Sequence, residues 1–122
     1  MLNDLILVGR LTRDIEVYKT EGGRQLGRIS LAVARSFKNI EGTYDTDFIP
    51  CLVWEEKARI ASTYCHKGDI IGIRGRLQSR VIETDEGKRN LIEVIAERIS
   101  FLSSHGKNVK ENDNTGSITI EK

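Results

Sequence analysis

The chain has 122 residues, of which 39% are hydrophobic and 30% charged, and its 19 basic and 18 acidic side chains leave a net charge of +1. That size and balance suit one soluble domain around one modest core, and the near-neutral charge excludes any argument for a nucleic-acid or acidic partner from charge alone. The apolar run from Leu5 to Val8 lacks a basic flank and is too short for a signal or a membrane span, so a cytoplasmic address and no membrane partner are expected.

Leu5–Thr12 reads as a first strand, followed by a turn at Glu21-Gly22-Gly23-Arg24. Leu26–Ser36 reads as a second strand, with Ile29, Leu31 and Val33 alternating against Arg28, Ser30 and Ala32. Phe37 has the parity of the apolar set, so its ring points to the core unless the strand bulges or ends before it.

The third strand, Phe48–Trp54, holds two of the chain's few large aromatics. At a period of two, Phe48, Pro50, Leu52 and Trp54 share one face while Ile49, Cys51 and Val53 fill the other. A strand apolar on both sides needs two partners. One is the core; the second is another protein layer or a flat ligand such as a nucleobase, which stacks on a ring for roughly 1–3 kcal/mol. Pro50 has no N–H to donate, so this strand is not expected to pair on both sides throughout.

From Glu55 to His66 the period becomes helical, with Ala58, Ala61 and Tyr64 or Cys65 in one stripe. Glu55 and Glu56 occupy the first turn, and His66-Lys67-Gly68 supply a basic last turn and a stop. Asp69–Ile82 is then a long fourth strand. Its even positions hold Arg74, Arg76 and Arg80, with Gln78 and Ile82; Ile71, Ile73, Leu77 and Val81 hold the odd ones. An acid-free cationic face suits either plain solvation or phosphate contact. Asp85-Glu86-Gly87-Lys88 makes a hairpin turn, and Asn90–Leu102 forms the fifth strand, with Ile92, Val94 and Ala96 in register. Five strands with a helix between the third and fourth is the element order of an all-β oligonucleotide/oligosaccharide-binding (OB) barrel, here residues 1–102. Residues 103–122 read as a polar, flexible tail, although Ser117-Ile118-Thr119-Ile120 keeps enough strand character to dock on a sheet edge.

Four segments together resemble the bacterial single-stranded DNA-binding proteins: Leu5–Asp14, Ser30–Phe37, Asp47–Trp54, and Lys67-Gly68-Asp69 leading into Gly75–Arg80. The match runs in order from Met1 to about Leu102. The resemblance implies an OB fold that assembles as a homotetramer and wraps single-stranded DNA during replication, recombination and repair. It also implies base stacking at Phe37, Phe48 and Trp54, with a fourth stacking position falling on Ile82. Arg74, Arg76 and Arg80 would follow the phosphates, with Arg10 and Arg35 as secondary basic candidates.

The chain also departs from that family. Ile82 has no ring, and Glu55 and Glu56 follow Trp54 where the family has basic residues. The family's acidic, apolar-tipped C-terminal tail, which recruits replication and repair enzymes, has no counterpart in Ser117–Lys122, which puts that recruitment in doubt. Other classes have less behind them. Asp45 with Asp47, Glu55 with Glu56, and Cys65 with His66 have no catalytic partners at a useful spacing, so neither an enzyme nor a cofactor is expected. Cys51 and Cys65 lack zinc or disulfide spacing and read as buried thiols. Gly72-Ile73-Arg74-Gly75 has the form of a GXXG clamp but lies inside a strand. The remaining alternative is a primosome or phage replisome adaptor that uses the same barrel mainly for protein contacts.

Overall fold

Alternating apolar and polar residues give each strand one side that must be covered, and closing the sheet on itself covers it. A computed structural model of the protein describes residues 1–104 and the backbone of 118–120. The elements are β1 Leu5–Leu11, β2 Glu16–Lys19, β3 Gln25–Lys38, β4 Tyr44–Trp54, α1 Glu55–Tyr64, β5 Ile70–Thr84, β6 Gly87–Ser103 and β7 Ile118–Ile120. Strands pair in the order β1-β5-β6-β4-β3-β2, and a further β1–β3 pairing at Arg10↔Ala32 and Leu11↔Leu31 closes the circuit. β1, β3, β4, β5 and β6 are therefore a closed five-stranded barrel, the OB architecture that the element order implied. The β4–β6 contact is the parallel seam, confined to Cys51↔Val94 and Leu52↔Ile95. Pro50 stands just outside it and pairs only with Ser30 of β3, as its missing N–H requires.

The core joins Leu11, Ile29, Leu31, Val53, Ile71, Ile73, Val94 and Ile99 to Ala58, Ala61 and Cys65 on the α1 side. The buried stripe of α1, Ala58 and Ala61, continues into Cys65 just past the helix end, and Tyr64 is exposed. The helix is shorter than its sequence suggests: it stops at Tyr64, so His66 and Lys67 lie beyond its last turn. Cys65 closes it by donating its N–H to the Ala61 carbonyl at 2.8 Å.

Two irregularities in β6 decide which residues face inward. Arg74 pairs with Arg98 but Gly75 with Ala96, so Glu97 is an extra residue, and Leu102 is extra between Ile70 and Ile71. The bulge at Glu97 moves the covered parity from Val94 and Ala96 to Ile99. It also presses β6 against β5 so closely that a Cβ on Gly75 would lie 2.0 Å from the Ile95 carbonyl oxygen. The second glycine of the clamp-like GXXG therefore serves backbone approach.

Two expectations about the strands are corrected. Strand β2 was not foreseen; Val17 and Tyr18 before the Gly22-Gly23 turn are its signal, and it pairs with β3 from Glu16↔Arg28 to Lys19↔Gln25. The β5–β6 hairpin is longer than expected, pairing out to Thr84↔Gly87 as an arm that outruns the barrel. Leu77, Val81 and Ile92, on the face that is core lower in the strands, are consequently 47%, 60% and 60% exposed. Of the 103–122 stretch, residues 105–117, 121 and 122 lie outside the described residues, while β7 pairs antiparallel with β6 from Ile99↔Ile120 to Phe101↔Ile118.

Candidate nucleic-acid interface

Cross-strand partners point to the same side of a sheet, so the register fixes what shares the outer face of β2, β3 and β4. Phe48 lies opposite Ala32, Pro50 opposite Ser30, Leu52 opposite Arg28, and Trp54 opposite Leu26, which in turn faces Tyr18. Phe48 and Trp54 are six residues apart on one strand, a span of about 20 Å at the usual rise. Phe48 is 67% exposed and Trp54 is half-buried. Beside Phe48, along β4 as far as Leu52, lies a hollow of about 160 Å³ lined by Arg13, Arg28, Ser30, Phe48, Pro50 and Glu93, among others. The opposite face of β4, with Cys51 and Val53, is in the core, so one of the strand's two apolar faces is left partly open.

Trp54 is held from the β3 side. The Arg24 guanidinium sits over its ring, 4.2 Å from the centroid, and Arg24 Nε donates to Glu55 Oε2 at 2.7 Å. Glu55 has φ +57°, an unusual conformation for a side-chain-bearing residue, and its other carboxylate oxygen accepts the Gln25 N–H at 3.4 Å. The hydrogen bond from Arg24 holds the Glu55 carboxyl below its usual range. Glu56 is likewise paired, with Arg59. The two acids that follow Trp54 thus face cations of the same chain, which offsets the penalty their charge implied.

The arginine face of β5 is acid-free only within its own strand. Arg74 pairs with Asp4 at 3.0 Å, Arg76 with Glu97 at 3.2 Å and Arg80 with Glu93 at 2.8 Å. The reading of an uncompensated cationic face is therefore corrected: the acids come from the N-terminal segment and from β6, which a one-strand pattern cannot show. Glu93 is 2% exposed, so the Arg80 pair is the most shielded of the three. Arg35 forms a two-pronged pair with Asp47, which lowers the Asp47 pKa, and Arg10 donates to the Gly68 carbonyl at 2.7 Å. Ile82, half-buried, lies on the same side of the arm as Arg80 and opposite Arg89.

Phe37 is 63% exposed because the β3–β4 register shifts between Ala34 and Lys38, which breaks the alternation that would have sent the ring inward. The turn beyond it is braced by Asn39, whose Oδ1 accepts the N–H groups of Glu41 and Thr43 at 2.9 and 3.0 Å. Sequence reasoning missed Tyr18, Arg13, Arg24 and Arg28. By its sequence pattern Arg28 is only a polar position in an alternating strand, and nothing in the linear pattern ties Arg13 or Arg24 to the aromatic face.

Among the described residues no cluster of three His, Cys, Asp or Glu side chains is placed to hold a metal. Nor is any helix there long and apolar enough to cross a membrane. The model of the single-strand binding protein family matches residues 2–102, the whole barrel. The chain belongs to the single-strand binding protein family. Relatives of this family include a single-stranded DNA-binding protein of Halalkalibacterium halodurans, 43% identical over 87% of this chain and 64% of its own length. Single-stranded DNA-binding protein B of Bacillus subtilis is 39% identical over 84% of this chain and 91% of its own. Single-stranded DNA-binding protein 3 of Streptococcus agalactiae is 37% identical over 96% and 86%. The chain spans under two thirds of the first of these proteins.

Proposed function

We propose that the protein binds single-stranded DNA with little sequence preference and shields it during replication, recombination and repair. The observation that supports this most is the exposed aromatic face of β4, on a barrel whose relatives are named for single-stranded DNA binding. Phe48, Trp54 and Phe37 stack on bases, and π-faces are common to all four nucleotides. Arg74, Arg76, Arg80, Arg35 and Arg10 are phosphate contacts that must each exchange a protein acceptor for DNA, so each contributes less than an unpaired cation would. Ile82 supplies apolar contact without a ring.

The protein acts as a homotetramer in this reading. Among the described residues, β1 from Leu5 to Val8 pairs with β5 on one side only, and Ile6 and Val8 are 69% and 52% exposed. An open edge beside an apolar face invites a second copy. A nucleoid-associated place in the cytoplasm follows from the ligand.

The decisive experiment is a titration of Trp54 emission with oligo-dT against a duplex control, since Trp54 is the one tryptophan. Quenching by the single strand alone is expected; equal binding of duplex and single strand, or no binding, rejects the proposal. Sedimentation of Val8→Lys tests assembly, with a smaller species than the parent expected.

A further inference from the structure

The arginines that the linear pattern singled out are the ones the fold neutralises or ties down, which raises the question of which cations remain for phosphate on the aromatic face. Two do. Among the described residues, neither Arg13 nor Arg28 forms an ion pair. Both line the hollow beside Phe48 that runs along β4 as far as Leu52.

Arg28 is exposed and lies opposite Leu52 on one side and Glu16 on the other. Glu16 is the acid nearest in register, but its carboxylate accepts the Tyr18 hydroxyl at 2.6 Å. The Arg28 guanidinium lies 5.7 Å from the Tyr18 ring centroid instead. The acid that lines the hollow, Glu93, is held by Arg80 through two hydrogen bonds of 2.8 and 3.2 Å. Its charge is thereby offset, and among the residues that line the hollow Arg13 and Arg28 are the cations with no acid paired to them.

We infer that Arg13 and Arg28 form a phosphate-binding cradle between the two stacking rings, taking the phosphodiester groups of a single strand that spans from Phe48 to Trp54. This rests on the single-stranded DNA reading above. A strand stacked at both ends of the 48–54 segment has to cross the hollow, and its backbone there meets guanidinium groups that need not release an acid first. Arginine's fork of donors suits a phosphate's oxygens in that setting.

The test is the salt dependence of oligo-dT affinity for the intact protein and for Arg13→Ala, Arg28→Ala and the double variant. Each lost phosphate contact should lower the slope of log affinity against log salt by about 0.7, and the double variant by about 1.4. Arg28→Lys should restore the parental slope, while Arg59→Ala, on the helix, should not alter it. Parental slopes in both single variants and the double one, with the intact protein binding dT, overturn the cradle and leave the DNA reading standing. A weaker affinity at an unchanged slope overturns it too, since that marks a packing role. No dT binding by the intact protein overturns the DNA reading and the cradle with it.

Discussion

Arg24 covers one side of Trp54, its guanidinium 4.2 Å from the ring centroid, and is itself fixed by Glu55. Cation–π contacts at exposed sites contribute about 0.5–1 kcal/mol, enough to bias a ring's position but not to lock it. Glu55→Gln should therefore loosen the clamp: acrylamide should quench Trp54 more strongly in the DNA-free protein, and the emission should shift to the red. Unchanged quenching would show that the strand alone fixes the ring.

The same clamp predicts a pH response. Its carboxyl is depressed by the Arg24 hydrogen bond, so the ion pair persists at neutral pH and through the ordinary glutamate range, near 4.3. It is lost only as pH falls through the lowered value. Trp54 emission should accordingly hold steady down to the ordinary range and change below it, and the Glu55→Gln variant should lack that step.

Arg80 and Glu93 predict an effect on stability. Removing one partner of a buried pair costs about 3–5 kcal/mol, because the other charge stays buried and unpaired. Arg80 is itself half-exposed, so Arg80→Ala should cost on the order of 2–3 kcal/mol in urea unfolding. Arg74→Ala, whose pair with Asp4 is exposed on both sides, should cost far less than Arg80→Ala. Equal losses in the two variants would place Glu93 in solvent.

Ile82 offers a gain of function. Ile82→Trp should add a stacking platform beside Arg80 and raise single-strand affinity by about 1–2 kcal/mol, the lower part of the stacking range, because isoleucine already covers some apolar area. Stability should change by less than about 0.5 kcal/mol if the side chain points outward. A lower melting temperature with parental affinity would mean that the arm packs this side chain against protein.

The thiols should be silent in the folded protein. Burial pushes Cys51 up to about 12 and Cys65 up to about 11, so at pH 8 almost no thiolate is present at either. Iodoacetamide should label neither residue until urea unfolds the barrel, and labelling in native buffer at the unfolded chain's rate would contradict that burial.

The five barrel strands and their one helix were legible because alternation and helical spacing are local properties: Ile29 with Leu31, Cys51 with Val53, and Ile71 with Ile73 each point inward as their parity requires. The aromatic face of β4 was legible for the same reason. Parity stops working where a partner strand adds or drops a residue, so the bulge at Glu97 and the shift before Lys38, which frees Phe37, belong to pairing and not to either strand alone. Strand β2 needed β3 beside it, since four exposed residues carry too weak a pattern to stand by themselves. Charge was the least legible feature. Asp4 and Arg74 are 70 residues apart and Arg24 and Glu55 are 31 apart, so which arginines are neutralised and which remain open to a ligand is decided by Coulomb interactions across the closed barrel.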